Sequence, residues 1–117
     1  MRLNEVVYTD AQPIDGYGPG FFRIGGEVYE GSILVLPNGI APWAGPTDPA
    51  PLLAAKDQVD VIFLGTGAEI AHVPATLRTA LDEAGIGIES MASPAACRTY
   101  NVLLSEGRRV GLALLPV

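Results

Sequence analysis

Met91-Ala-Ser-Pro-Ala-Ala-Cys-Arg-Thr-Tyr-Asn-Val-Leu-Leu-Ser-Glu-Gly-Arg-Arg109 is the stretch in which a helix start, unusual polar chemistry and a helix stop coincide, and the chain reads outward from it. Ser93 fits the N-cap, where a hydroxyl accepts an orphan amide N–H, and Pro94 fits the first helical position, where its missing N–H costs nothing. Gly107 fits a left-handed stop, so the spacing predicts one helix over residues 94–106. Ala96, Cys97, Tyr100, Leu103 and Leu104 recur on one face, the core face, while Arg98, Asn101 and Ser105 share another that is available for chemistry. Arg98 in the first turn meets the positive end of the helix dipole, a penalty of roughly 0.3–1 kcal/mol that a negative partner offsets. That partner is either a carboxylate such as Glu69 or Glu89, or a bound anion sharing the free first-turn N–H groups.

Upstream of this helix, Val59 to Leu64 is apolar on both faces apart from Asp60, the pattern of a strand inside a layered α/β sheet. Gly65-Thr66-Gly67 then reads as the strand-exit loop. Val73, Leu77, Ala80, Leu81 and Ala84 mark the core face of a helix from Pro74 to Gly85, Ile86 to Ser90 is a short strand, and Val110 to Leu115 is the last one. This strand, helix, strand, helix, strand order favours an α/β fold with at least one parallel crossover. The amino-terminal half is read as β. Residues 6–8 suggest a short strand or extended arm; Phe21 to Ile24 and Glu27 to Glu30 flank Gly25-Gly26 as a tight hairpin. Ser32 to Leu36 and Ile40 to Trp43 form a second pair across Pro37-Asn38-Gly39, and Pro51 to Lys56 allows one or two helical turns. Gly16-Tyr-Gly-Pro-Gly20 has the composition of a loop whose backbone approaches something closely.

At 117 residues the chain makes one domain over 1–117 with a core large enough to fold alone. A net charge of −6 argues against nonspecific nucleic-acid binding, which needs clustered Lys and Arg, and against attraction to anionic lipid. The apolar runs are too short to span a bilayer and the amino terminus has no signal-like pattern, so a cytoplasmic bacterial protein is the expectation. One cysteine, Cys97, excludes an internal disulfide, and one histidine, His72, gives no reason to expect a metal or cofactor.

Gly16-Tyr-Gly-Pro-Gly-Phe-Phe-Arg-Ile-Gly25, Tyr29-Glu-Gly-Ser-Ile-Leu-Val-Leu-Pro37 and Gly65-Thr-Gly67 carry a family resemblance. Met91, Ala95-Ala-Cys-Arg-Thr-Tyr-Asn-Val-Leu103 and Glu106-Gly-Arg-Arg-Val110 carry it most strongly. Together they resemble the Mth938-like family, also called DUF498, from about Gly16 to Val117. The resemblance implies a single-domain three-layer α/β fold with a mixed central sheet, covering helices and an added β-hairpin element from the amino-terminal half. The family includes the assembly factor of mitochondrial respiratory complex I.

Two functional classes follow. In the first, which the resemblance supports, the protein is a non-catalytic interaction or assembly factor that holds a protein partner by its loop edge and an exposed face. Weak homodimerisation through the exposed hairpin edge fits the same class. In the alternative, it is a small-anion-binding protein or enzyme working at the carboxyl edge of the sheet, where open α/β sheets usually bind ligands. Arg98, Thr99, Asn101, Gly65, Thr66 and Gly67 would line that site, and Cys97, near a helix start and beside a cation, would be its nucleophile. A dinucleotide reading of Gly65-Thr-Gly67 fails on the third glycine, because Ile70 stands there. Trp43 reads as a core plug, and Arg108-Arg109 as charges that complement a helix end.

Overall fold

The computed structural model describes residues 11–117; the strand expected at residues 6–8 lies outside them. In chain order the elements are β1 (Gly16–Gly18), β2 (Phe21–Ile24), β3 (Glu27–Glu30), β4 (Ile33–Leu36), β5 (Gly39–Pro42) and α1 (Ala50–Leu53). They continue with β6 (Val61–Thr66), α2 (Ala75–Glu83), β7 (Gly87–Met91), α3 (Ser93–Ser105) and β8 (Val110–Leu115). Strands β1-β2-β3 make a small antiparallel sheet, and β5-β4-β8-β6-β7 make the main mixed sheet.

The expected hairpins form where the turn residues demanded them. Ile24 pairs with Glu27 across Gly25 and Gly26, whose φ angles of +60° and +83° only glycine adopts at no steric cost. Leu36 pairs with Gly39 across Pro37-Asn38. Gly16–Gly20, expected as a loop, instead supplies β1, paired with β2 in the register Gly18↔Phe21. Glycine has poor strand propensity, but here the missing Cβ is what the pairing needs: one built on Gly18 would stand 2.6 Å from the Phe21 ring.

Pleat alternation divides the main sheet into two apolar faces. Leu34, Leu36, Ile62, Leu64 and Ala113 point to the side covered by α1 and α2, where they meet Leu52, Leu77, Leu81 and Trp43. Ile33, Val35, Phe63, Leu112 and Leu114 point to the other side, where α3 brings Ala96, Cys97 and Tyr100 and the small sheet brings Phe22 and Ile24. Three layers result. Strand β6 runs parallel to both β7 and β8. The chain moves outward from β6 to β7 through α2, then back across β6 to β8 through α3. Because crossovers keep one hand, that reversal places the two helices on opposite faces of the sheet.

Candidate functional site

The carboxyl ends of β6, β7 and β8 meet the start of α3, and the chemistry expected there is engaged in holding the fold. The helix begins at Ser93 rather than after it, with Ala92 at the cap position and Pro94 within the first two helical residues. Ser93 is therefore not an N-cap. Its fully buried hydroxyl donates to the Leu115 carbonyl (2.6 Å) and accepts the Gly67 amide N–H (2.8 Å), while its own amide donates to the Gly67 carbonyl (2.7 Å). One side chain thus ties together the ends of β6, α3 and β8.

Gly65 and Thr66 are the last residues of β6 rather than a loop, and the chain turns at Gly67, where φ is +96°. A Cβ on Gly65 would lie 2.7 Å from the Ser93 hydroxyl oxygen and 3.0 Å from the Ser93 Cα, so the glycine is required for α3 to dock. The Thr66 hydroxyl donates to the Glu69 carbonyl (2.6 Å), lies 3.1 Å from the Met91 carbonyl and accepts the Ala71 amide (3.0 Å). Gly65, Thr66 and Gly67 therefore serve the junction, and the Ser93 N–H that an anion would have used already has an acceptor.

The next turns of α3 divide the remaining candidates between its two flanks. On one flank, Asn101 clamps the backbone of Ile14, accepting its N–H (2.8 Å) and donating to its carbonyl (2.9 Å), as a neighbouring strand would. Beside it the Tyr100 hydroxyl donates to the Gln12 carbonyl (3.0 Å), and burial pushes the phenol above its usual range. Cys97 is buried in the same core cluster as Tyr100 and the sheet residues Phe63 and Leu112. Burial pushes its thiol up from 9.0 to about 12, and the Arg98 charge offsets only part of that. An activated nucleophile requires the opposite shift, so the environment of Cys97 is that of a packing residue.

On the other flank, Arg98, Thr99, Val102 and Leu103 line an open groove of about 300 Å³. Arg98 is exposed, and among the described residues neither Glu69 nor Glu89 forms the ion pair expected of it. The one ion pair among those residues joins Arg109 to Asp60 at 3.1 Å on the surface. Thr99 touches Met91 of β7, with its hydroxyl oxygen 3.5 Å from the sulfur. The six expected ligand residues therefore lie in three places: the junction, the Ile14 clamp and the outer groove. His72 and the exposed Ile70 line a separate cavity of about 150 Å³ with Ala71 and Ser90, and no cluster of three His, Cys, Asp or Glu among the described residues could hold a metal ion. Sequence reasoning missed the Ser93 and Thr66 hydrogen-bond centres. The available signal was the pair of glycines around Thr66 at a strand end, which marks close backbone approach as readily as a phosphate loop.

These features define a small three-layer α/β protein in which Ser93, Thr66 and Asn101 are hydrogen-bonded within the fold and an open groove lies on one flank of α3. The chain belongs to the family described as "Protein of unknown function (DUF498/DUF598)", which it matches over residues 14–115. It is 50% identical over 117 residues to an uncharacterized protein of Rhodobacter capsulatus, covering 100% of this chain and 94% of that one. It is 33% identical over 110 residues to the NADH dehydrogenase (ubiquinone) 1 alpha subcomplex assembly factor 3 of Danio rerio, covering 88% of this chain and 63% of that one. The chain thus spans less than two thirds of that assembly factor's length. Among solved structures, that of an outer membrane protein from Bartonella henselae superposes with a TM-score of 0.84 at 39% identity, over 91% of this chain and 95% of that one. An Mth938-like domain from Bordetella pertussis superposes with a TM-score of 0.76 at 27% identity, over 99% of this chain and 92% of that one. Among the described residues no helix is long and apolar enough to cross a membrane.

Proposed function

We propose that this protein is a non-catalytic assembly factor that holds a subunit of an NADH dehydrogenase complex before that subunit joins the rest. The observation that carries this reading is the similarity to complex I assembly factors over 88% of the chain. The chemistry of the carboxyl edge agrees with it. The Ser93 and Thr66 hydroxyls and the Gly67 backbone are hydrogen-bonded within the fold, and Cys97 is buried and protonated at neutral pH. What the chain offers to other molecules is surface.

Deletion of the gene in the source organism tests the proposal. Native electrophoresis of solubilised membranes is expected to show loss of the full NADH dehydrogenase complex, accumulation of a smaller subassembly, and restoration by the wild-type gene. A deletion strain with the complete complex at its normal level refutes it.

A further inference from the structure

Strand β7 is an edge of the main sheet: among the described residues it has a neighbour only on the β6 side. The Gly87 amide donates to the Asp60 carbonyl at 2.9 Å and so faces β6. Strand alternation then turns the N–H and C=O of Ile88 and Ser90 outward, a backbone row set for one more strand. Two of the other edges carry features that discourage such pairing: β5 ends in Pro42, and β1 is only three residues long.

Helix α3 packs over β6 and β8, and its open flank faces the β7 side, where Thr99 reaches Met91 at the end of the strand. Its groove holds Leu103 and Val102, the latter 56% exposed, and is headed by the exposed cation Arg98. A strand added to β7 would point alternate side chains at this face, because residues two apart share one side of a sheet. Its backbone would satisfy Ile88 and Ser90, its apolar side chains would cover Val102 and Leu103, and a carboxylate would meet Arg98.

We propose that the outer edge of β7 and the Arg98–Leu103 flank of α3 form a docking surface for an extended segment of a partner protein, alternating in apolar residues and carrying one Asp or Glu. A second copy of this chain fits less well, since an antiparallel two-fold pair centred on β7 would set Glu89 opposite Glu89. The proposal rests on the interaction-factor reading above, and names the surface and the partner chemistry which that reading leaves open.

Site-directed cross-linking tests it on the full chain. Cys97 is buried, so Val102→Cys creates one addressable thiol for a benzophenone label, and Thr79→Cys on the exposed side of α2 serves as the control position. Both labelled proteins are irradiated in detergent-solubilised lysate, and the cross-linked peptide is sequenced by mass spectrometry. The expected result is one adduct at least tenfold more abundant from position 102 than from position 79, mapping to an alternating apolar segment with a carboxylate. Adding Ser90→Pro removes an outward N–H without removing a bond to β6 and should reduce that adduct tenfold. Arg98→Glu, at an exposed helical position, should reduce it at least fivefold even if the proline variant folds poorly. An adduct that forms equally from position 79, or that survives both substitutions, overturns the docking surface and leaves the interaction-factor reading standing. If neither position yields a specific adduct, while the deletion strain still lacks the assembled complex, the surface alone is wrong; if the strain also assembles normally, both readings fall.

Discussion

Replacing Ser93 by alanine should be among the costliest single-atom deletions in this protein. Its hydroxyl bridges the buried Gly67 amide at 2.8 Å and the half-buried Leu115 carbonyl at 2.6 Å. Ser93→Ala leaves both groups without a partner, and a buried polar group so stranded costs about 1–3 kcal/mol. The Gly67 N–H carries the full penalty, whereas the Leu115 carbonyl can recover part of its loss from water, giving an expected destabilisation of roughly 2–4 kcal/mol. With a urea dependence of about 1.5 kcal/mol per molar for a domain of this size, the unfolding midpoint should fall by about 2 M. An N-cap serine would also destabilise on removal, by about 1 kcal/mol, so the alanine variant alone does not separate the two roles. Ser93→Asp does. Aspartate is a good N-cap and would restore stability in that role. In the bridging role a buried carboxylate has no proton for the Leu115 carbonyl, and the loss should equal or exceed that of alanine. A Ser93→Ala loss below about 0.5 kcal/mol, or a Ser93→Asp variant as stable as wild type, refutes the reasoning.

Two further predictions follow from α3. Asn101→Ala strands the N–H and C=O of Ile14 and should cost about 1–3 kcal/mol, with faster limited proteolysis next to Ile14 as the local signature. Unchanged cleavage there would mean that the clamp does not hold the segment. Cys97 has a folded-state thiol pKa raised to about 12 from 9.0, so its contribution is complete below pH 9 and is lost as pH climbs from 9 towards 12, where the unfolded state releases the proton first. Tyr100, raised from 10.0, acts in the same direction at higher pH. Thermal unfolding between pH 8 and 11 should therefore fall less steeply for Cys97→Ala than for wild type, by up to about 1.4 kcal/mol per pH unit. Superimposable slopes would show that the thiol ionises equally in both states.

Local signals in the sequence were reliable at the two-residue hairpin turn and at the helix stop, where a positive φ angle decided the outcome, and failed at Gly16–Gly18, where the glycines serve a strand. Gly25-Gly26 announced the hairpin, and Gly107, with φ +79°, stops α3 as expected while the Arg108 amide donates to the Leu103 carbonyl. The apolar period also placed Ala96, Cys97 and Tyr100 in the core, and Trp43 is buried with its indole N–H donating to the Asp48 carbonyl. The polar residues were harder to read, because a hydroxyl or amide beside a helix start is equally suited to a cap, a ligand or a bridge. Ser93, Thr66 and Asn101 each became bridges.

Sequence by itself thus determined the family, the two hairpins and the strands, helices and core faces of the carboxyl-terminal half, though not β1, since hydrophobic period, turn chemistry and the Met91–Val110 motif act within a few residues of chain. Only the tertiary structure decided what the polar residues do. Ser93 meets Gly67 and Leu115 at separations of 26 and 22 residues, and Asn101 meets Ile14 across 87. The return of the chain across β6 brings Ser93 to Gly67 and Leu115 and leaves β7 at the edge, while the packing of the amino-terminal segment against α3 brings Ile14 to Asn101. A hydrogen bond forms between whatever donors and acceptors the packed layers bring within 3 Å, and that proximity is a property of the fold rather than of any stretch of sequence.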